Sequence, residues 1–449
     1  MSGIISKRNT LIEILKTSLP AVVDLSSQTF TWLIEAILIG NLATAALAGV
    51  GIAQQVILLT FTILLTFVVG SSIIIARYLG AGDKWQANHV LGQSLIVGIF
   101  LSILIGLIWY FGTPLIFMLI REEEPIARLY GVKYITTIAW FTPLIVTNFI
   151  ALGIMRATGD TIWSMKINVA VQILNLVLDA VLIFGLLGFP RLETLGAGLA
   201  VGIAHSTGFF MTLFVLRKGK SSLFLPFMEL TSPNMTTFKR LIKMGIPTTV
   251  EQLVWAVGQL FLSIFAGWLG IVVLATHQVF VRIQSVITMI FFGFGLGSMA
   301  LVGKNLGAAD TLQAQRTGKI TGLVGIAAAT IIAILLYTGS SQIISVFTDD
   351  PNVIHLAETL IIIFSIIQLP KGVNIVYSGN LRGSADLTWL MWLAVITVMI
   401  YDIFGSWLVA IVFGIGLSGI WILQGLDELT RFILNYWRFN RGKWKVIDI

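Results

Sequence analysis

The chain has 449 residues, of which 57% are hydrophobic and only 11% are charged, and its formal net charge is +7. Soluble domains are about 25% charged, so water cannot be the solvent of most of this surface. The absence of cysteine excludes disulfides, cysteine-ligated metals and thiol catalysis. Four histidines without clustered carboxylates give no metal-binding pattern, and no cofactor is expected.

Apolar segments of about 20 residues, long enough to cross a bilayer, recur along the whole chain. They predict an all-α polytopic membrane protein with twelve transmembrane helices. In chain order the predicted spans are 12–39, 50–76, 90–118, 127–153, 163–187, 195–216, 242–269, 275–303, 318–347, 353–378, 388–412 and 415–437. The polar start of the chain leads directly into the first span, so no cleavable signal peptide is expected.

The longest hydrophilic connection follows the sixth span. It predicts an N-terminal six-helix domain (1–216), a cytoplasmic linker (217–241) and a C-terminal six-helix domain with a basic tail (242–449). One set of loops, together with both termini, contains 22 Lys and Arg residues. The opposite side has only four: Arg121, Arg128, Lys133 and Arg191. By the positive-inside rule both termini are cytoplasmic. The basic charge then faces anionic membrane lipid, and no nucleic-acid partner is expected.

The two halves of the sequence repeat each other. A shift of 227 residues pairs Lys16 with Lys243, Pro20 with Pro247, and Gly70 with Gly297. A shift of 226 then pairs the segment 153–160 with 379–386. Six spans is an even number, so both halves have the same orientation in the membrane and form two pseudo-symmetric bundles. Many transporters are built in this way, with the substrate path between the repeats. A channel or a membrane enzyme on a duplicated scaffold is the alternative.

Polar stripes mark two spans of the first half. An ionisable group at bilayer depth costs about 3 kcal/mol or more, so it should face the protein interior. Helical periodicity places each of two sets on one helix face, Asp24, Gln28, Thr31 and Glu35 in span one and Gln172, Asn175 and Asp179 in span five. Glu35 and Asp179 lie at similar depth in the outer half of the membrane. Two carboxyls that meet in a low-dielectric cavity are suited to share a proton or to bind Na⁺ through oxygen ligands.

We therefore predict Glu35, Asp179, Asn175 and Asp24 as coupling residues for H⁺ or Na⁺. Glu35 and Asp179 would be the metal ligands if the ion is Na⁺. The alternative is that each carboxyl is hydrogen-bonded to neighbouring helices and only stabilises the bundle. Pro20 lies one turn before Asp24, where it removes a backbone hydrogen bond. We expect it to let the first span bend when the carboxyls change charge.

The second half has a different set of charges. Glu251 is the repeat partner of Asp24, since 24 + 227 = 251. Lys371 and Asn374 lie in span ten and Asp402 lies near the centre of span eleven. Lys371 is predicted to pair with Glu251 in the inner half of the membrane, or alternatively with Asp402. Secondary site candidates in both halves are Gln28, Thr31, Gln172, Glu251, Lys371, Asn374 and Asp402.

Several motifs in order make the chain similar to the MATE (multidrug and toxic compound extrusion) family. They are Pro20 with Gly40, Ala45-Ala-Leu-Ala-Gly-Val-Gly51, Leu79-Gly-Ala-Gly-Asp83, Gly153-Ile-Met-Arg-Ala-Thr-Gly-Asp160, Gly379-Asn-Leu-Arg-Gly-Ser-Ala-Asp386 and Ala275-Thr-His-Gln278. The resemblance covers residues 11–437. It implies a V-shaped pair of bundles in a prokaryotic inner membrane, acting as a monomer and not as an enzyme. It also implies export of organic cations or amphipathic drugs against inward H⁺ or Na⁺.

The resemblance also assigns residues. The segment 175–185 is similar to the fifth span of the DinF-like branch, whose asparagine and aspartate fall on Asn175 and Asp179. The family's first-span aspartate falls on Glu35. The seventh-span glutamate and tenth-span aspartate of the NorM-like branch fall on Trp255 and Lys371. The coupling ion is therefore expected in the N-terminal half.

Two other functions are open at this point. A flippase for lipid-linked oligosaccharides, from the same superfamily, would line its cavity with several Arg or Lys residues. Only Lys371 and Arg282 are basic candidates at membrane depth, against five carboxyls, which favours cationic or neutral cargo. A membrane-embedded enzyme would need a nucleophile–base pair or a metal set, and His205 and His277 have no such neighbours in the sequence.

Overall fold

A computed structural model of the chain describes residues 2–119, 125–230 and 232–447. This part of the chain is almost entirely helical, and a long helix lies at each of the twelve predicted spans. The prediction of an all-α polytopic membrane protein is confirmed. Arg121, one of the basic residues assigned to the outer side, lies outside the described residues.

The helices of the first half are α1 (Ser2–Gly40), α2 (Thr44–Gly80), α3 (Lys84–Leu107), α4 (Pro125–Ala157), α5 (Thr161–Phe184) and α6 (Glu193–Arg217). Helix α3 continues through a π-helical turn, Ile108–Gly112, into the short helix Thr113–Leu119. Short 3₁₀ turns at Leu186–Gly188 and Phe227–Leu230 lie in the connections that follow α5 and α6.

The helices of the second half are α7 (Met235–Trp268), α8 (Ile271–Gly307), α9 (Thr311–Thr338), α10 (Pro351–Gly383), α11 (Leu387–Thr397) and α12 (Leu417–Arg441). Helix α11 continues as two π-helical segments, Val398–Gly405 and Trp407–Val412. The ninth predicted span is interrupted, because α9 ends at Thr338 and a separate short helix forms Ser340–Ser345. A 3₁₀ turn at Lys443–Val446 follows α12.

Helix starts repeat with the sequence. The side chain of Asp83 accepts a hydrogen bond of 3.0 Å from the backbone N–H of Gln86, at the start of α3. Its repeat partner Asp310 accepts one of 2.8 Å from the N–H of Gln313, at the start of α9. An aspartate in this position satisfies an N–H group that has no partner within the helix. The matching loops of the two halves therefore cap the helices that follow them in the same way.

Eleven helices of the described residues are long and apolar enough to cross a membrane. Helix α12 is not among them, although it has 25 residues. Its middle contains Asp427, Glu428 and Arg431, which are buried inside the protein. Hydropathy alone does not identify such a helix as a membrane span, because it takes no account of the partners that neutralise the buried charges.

The chain forms two compact units that do not follow chain order. One is Val23–Gly245, and the other combines the residues before Val23 with those after Gly245. The boundaries thus fall inside α1 and inside α7, and they differ from a division of the chain at the linker 217–241.

Close helix packing explains both boundaries. In the first unit, a Cβ at Gly70 of α2 would lie 3.3 Å from the backbone nitrogen of Gly245 in α7. In the second unit, a Cβ at Gly297 of α8 would lie 3.1 Å from Cα of Ser18 in α1. These pairs are repeat equivalents, since 70 + 227 = 297 and 18 + 227 = 245. Each unit therefore makes the same backbone contact, and only glycine allows it at positions 70 and 297.

Candidate functional site

The first-span carboxyl of the predicted site is held by a tyrosine. Glu35 lies on α1 and is only 2% exposed. Its Oε1 accepts a hydrogen bond of 2.8 Å from the hydroxyl of Tyr134 on α4. Helices α1 and α4 of the unit Val23–Gly245 therefore position this carboxyl.

The fifth-span carboxyl lies beside the first. Asp179 on α5 is fully buried, and its Oδ2 accepts a hydrogen bond of 3.0 Å from Nδ2 of Asn175. The Oδ1 atoms of both residues have no hydrogen-bond partner among the described residues. The carboxyl of Glu35 interacts electrostatically with that of Asp179, and the hydroxyl of Tyr134 interacts electrostatically with both carboxyls. Glu35 and Asp179 are therefore close enough to interact electrostatically, and Asn175 contacts Asp179 directly.

Neither of these carboxyls forms an ion pair within the described residues. Placing an unpaired carboxylate in a low-dielectric interior is costly, and two of them also repel each other. Such a pair is stabilised when it takes up a positive charge, either a proton or a metal cation. No cluster of three or more His, Asp or Glu side chains suited to a metal ion occurs in the described part of the chain. Any Na⁺ would therefore need neutral oxygens, such as the amide of Asn175, in addition to the two carboxyls.

Asp24 lies elsewhere in the same unit and is fully paired. Its carboxylate accepts hydrogen bonds from Arg156 at 3.2 Å, Ser164 at 2.6 Å and Asn168 at 2.5 Å. Gln172 donates in turn to Oδ1 of Asn168 at 3.1 Å. The structure therefore does not bring Asp24 or Gln172 to the Glu35–Asp179 pair. Asp24 connects α1 to the end of α4 and the start of α5.

Two residues of the first stripe remain, Thr31 and Gln28. The hydroxyl of Thr31 donates to the backbone oxygen of Ser27 at 3.1 Å, one turn earlier in the helix. Gln28 is partly exposed. Pro20 lies inside α1, two residues before Val22, where the chain passes from one unit to the other.

The Asp24–Arg156 pair has a repeat equivalent that the prediction missed. Arg382 donates to Oε1 of Glu251 at 2.7 Å in the other unit. The partners correspond, since 24 + 227 = 251 and 156 + 226 = 382. The predicted pairing of Glu251 with Lys371 is therefore wrong. Both arginines lie beyond the ends of the predicted spans 127–153 and 353–378, whereas the structure places them in the last turns of α4 and α10. The separation in sequence between the acid and the arginine is nearly the same in both halves, and this similarity was the signal that would have identified the pairs.

Lys371 pairs with neither of its two predicted partners. Its Nζ lies 2.8 Å from Oε1 of Glu428 on α12, and Asn374 donates to Oε2 of the same carboxylate at 2.8 Å. The alternative partner, Asp402, is not the residue with which Lys371 forms its ion pair. Glu428 is not among the five carboxyls counted at membrane depth, although it lies near the middle of the predicted span 415–437, and the structure places it in the buried middle of α12.

Twelve long helices, an internal repeat and buried carboxyls without basic partners in the described part of the chain define a multi-pass membrane transporter. A family model makes the assignment specific, because it matches residues 20–181 and again residues 247–408. The chain belongs to the MatE family. The two matched segments are offset by 227 residues at both ends, which is the repeat found in the sequence.

Individual relatives cover nearly the whole chain. It is 26% identical over 430 residues to the uncharacterized transporter YisQ of Bacillus subtilis, covering 95% of this chain and 93% of the relative. It is 25% identical over 443 residues to the probable multidrug resistance protein NorM of Thermotoga maritima, covering 96% and 93%. The fold is similar to that of a MOP superfamily transporter from Pyrococcus furiosus, with a TM-score of 0.88 and 20% identity over 96% of this chain and 95% of that one.

Proposed function

We propose that the protein is a secondary active antiporter that exports organic cations or amphipathic drugs in exchange for inward H⁺ or Na⁺. One observation carries the proposal: among the described residues, Glu35 and Asp179 are buried together without a basic partner, and Oδ1 of Asp179 accepts no hydrogen bond. Cation uptake at this pair would change the charge inside the unit Val23–Gly245. Alternating access would then follow from the different stability of the loaded and empty states.

The assignment to drugs is supported by the relatives, since NorM of Thermotoga maritima is described as a probable multidrug resistance protein. We place the chain nearer to the DinF-like branch, because Asn175 and Asp179 are present and hydrogen-bonded to each other. We further propose that the protein acts in a prokaryotic inner membrane, as a monomer with both termini in the cytoplasm, on the basis of its Lys and Arg distribution.

The flippase alternative is less well supported by the charges. An anionic cargo needs basic side chains that are free to bind it. Lys371 is occupied by Glu428. The buried Arg156 and Arg431 and the partly buried Arg382 are each paired with a carboxylate. Arg282, the other basic candidate, is exposed and has no ion-pair partner among the described residues. Three carboxyls at membrane depth, those of Glu35, Asp179 and Asp402, also lack one, so the balance favours cationic or neutral cargo.

The function is tested with purified protein in proteoliposomes that contain a fluorescent cationic dye. We expect dye efflux when a H⁺ gradient or a Na⁺ gradient is imposed alone, and no efflux from protein-free vesicles. The gradient that drives efflux identifies the coupling ion. If neither gradient moves the dye, whereas a lipid-linked oligosaccharide is translocated, the antiporter proposal is wrong and the flippase is right.

Pro20 provides a second test of this proposal. A proline inside a helix leaves the carbonyl four residues earlier without its usual donor and allows bending. If α1 bends during the cycle, Pro20→Ala should slow dye efflux while leaving protein yield and thermal stability unchanged. The matched control is Pro143→Ala, which removes the internal proline of α4. Normal efflux by Pro20→Ala would show that bending of α1 is not required.

A further inference from the structure

Five ionisable side chains form a buried cluster in the unit that contains the C-terminal half. Three are acids and two are bases, and they come from α10, α12 and the π-helical continuation of α11: Lys371, Asp402, Asp427, Glu428 and Arg431. Every member is at most 8% exposed. If all five were ionised, the cluster would have a net charge of −1 in a low-dielectric interior.

Each base is already matched to one acid. Lys371 pairs with Glu428 at 2.8 Å, and Nε of Arg431 lies 2.9 Å from Oδ1 of Asp427. Nε of Arg431 also donates to the hydroxyl of Thr397 at 2.8 Å. Asp402 is the carboxyl left over, although all four other charges act on it.

Asp402 itself shows the feature expected of a group that takes up a cation. It is only 1% exposed, and its Oδ1 has no hydrogen-bond partner in the part of the chain that the structure describes. It lies in the π-helical segment Val398–Gly405, a geometry that occurs often at functional sites. On its other side it faces Gly258 of α7, where a Cβ would lie 3.1 Å from Oδ2. The space beside this carboxyl is therefore small.

A proton fits this site better than a metal ion does. A metal cation needs several oxygen ligands, but both oxygens of Glu428 are bonded to Lys371 and Asn374. Oδ1 of Asp427 is likewise bonded to Arg431. One proton needs no further ligands and brings the cluster to zero net charge.

We propose that Asp402 is a second proton-binding site, independent of the Glu35–Asp179 pair. The Lys371–Glu428 and Asp427–Arg431 pairs stay ionised, and the proton enters and leaves at Asp402. The proton-binding step does not depend on the function proposed above. Its contribution to transport does rest on that function.

Proton binding is measured by infrared difference spectroscopy of the full-length protein in lipid nanodiscs during a pH titration. The background is Glu35→Gln/Asp179→Asn, which removes the signals of the other site. We expect a C=O stretching band of a protonated carboxylic acid that disappears with Asp402→Asn and moves with Asp402→Glu. Asp24→Asn/Arg156→Met is the control, because it removes another buried carboxyl together with its counter-charge, and it should leave the band unchanged. An identical band with and without Asp402→Asn overturns the proposal.

A second measurement separates this site from the proposed function. Protons moved per dye molecule are counted in proteoliposomes, and Asp402→Asn should lower the ratio by one while Glu35-dependent efflux continues. An unchanged ratio in a variant that still exports would contradict a transport role for Asp402. If the protein moves no dye at all, the proposed function fails, whereas the infrared band still reports whether Asp402 binds a proton.

Discussion

Ion-driven efflux is expected to fall to the level of protein-free vesicles in Glu35→Gln and, separately, in Asp179→Asn. Both substitutions keep the shape of the side chain. The amide oxygen introduced by Glu35→Gln can still accept the hydrogen bond from Tyr134, so folding and membrane insertion should be unaffected. Neither amide can take up a proton or neutralise a cation, so the variants lose the charge change that couples ion entry to export. The measurement is dye efflux under the gradient that drives the unsubstituted protein.

The control for these variants is Glu13→Gln. Glu13 lies on the same helix as Glu35 but is exposed, so its charge is solvated and its removal should leave efflux unchanged. Efflux as fast as normal from both Glu35→Gln and Asp179→Asn would remove the coupling site from the unit Val23–Gly245. Glu251 would then be the next candidate, since its Oε2 is buried and has no hydrogen-bond partner among the residues described.

Thermal stability is expected to drop strongly in Arg156→Met. Asp24 is fully buried and the side chain of Arg156 is 10% exposed, so the substitution leaves a buried carboxylate without its counter-charge. Breaking a buried ion pair in this way costs about 3–5 kcal/mol. The loss is read as a lower melting temperature of the purified protein in detergent.

Two further variants show whether the buried charge is the cause. Asp24→Asn/Arg156→Met should recover most of the stability, because an asparagine can still bond to Ser164 and Asn168 without carrying a charge. Arg191→Met breaks an exposed pair with Glu193, in which the side chains are 58% and 38% exposed. Such pairs contribute about 0–1 kcal/mol, so its melting temperature should hardly change. Equal stability of Arg156→Met and Arg191→Met would show that the Asp24–Arg156 pair is not needed for stability.

Both units contain this arginine–carboxylate pair, but the two carboxylates accept different numbers of hydrogen bonds. Asp24 has three side-chain donors on its carboxylate, whereas Glu251 accepts from Arg382 and keeps an Oε2 that no described residue contacts by a hydrogen bond. In the second half, the carboxylate of Glu428 is paired with Lys371, so a residue of the protein supplies its counter-charge. The backbone repeat has therefore been kept while the buried chemistry of the two halves has diverged.

The amino-acid sequence by itself determined the class of protein, the number of long helices and the repeat. Apolar length is sufficient for the class and for eleven of the helices, because a bilayer requires about 20 apolar residues per helix. Helical periodicity also placed Glu35 on one stripe and Asp179 with Asn175 on another. In the structure Asn175 donates to Asp179, and Glu35 interacts with Asp179 electrostatically. These properties depend on one helix at a time, or on an offset between two segments, and both can be read along the chain.

Only the tertiary structure decided which charges are neutralised and by which partner. Lys371 pairs with Glu428, and Glu251 pairs with Arg382, because the rotation of each helix and its choice of neighbours determine which side chains meet. The middle of α12 is charged for the same reason, since its acids meet bases inside the unit and not lipid. The division of α1 and α7 between two units likewise follows from glycine contacts between distant helices. Helical periodicity predicts which residues share one face of a helix, but not which neighbouring helix packs against that face.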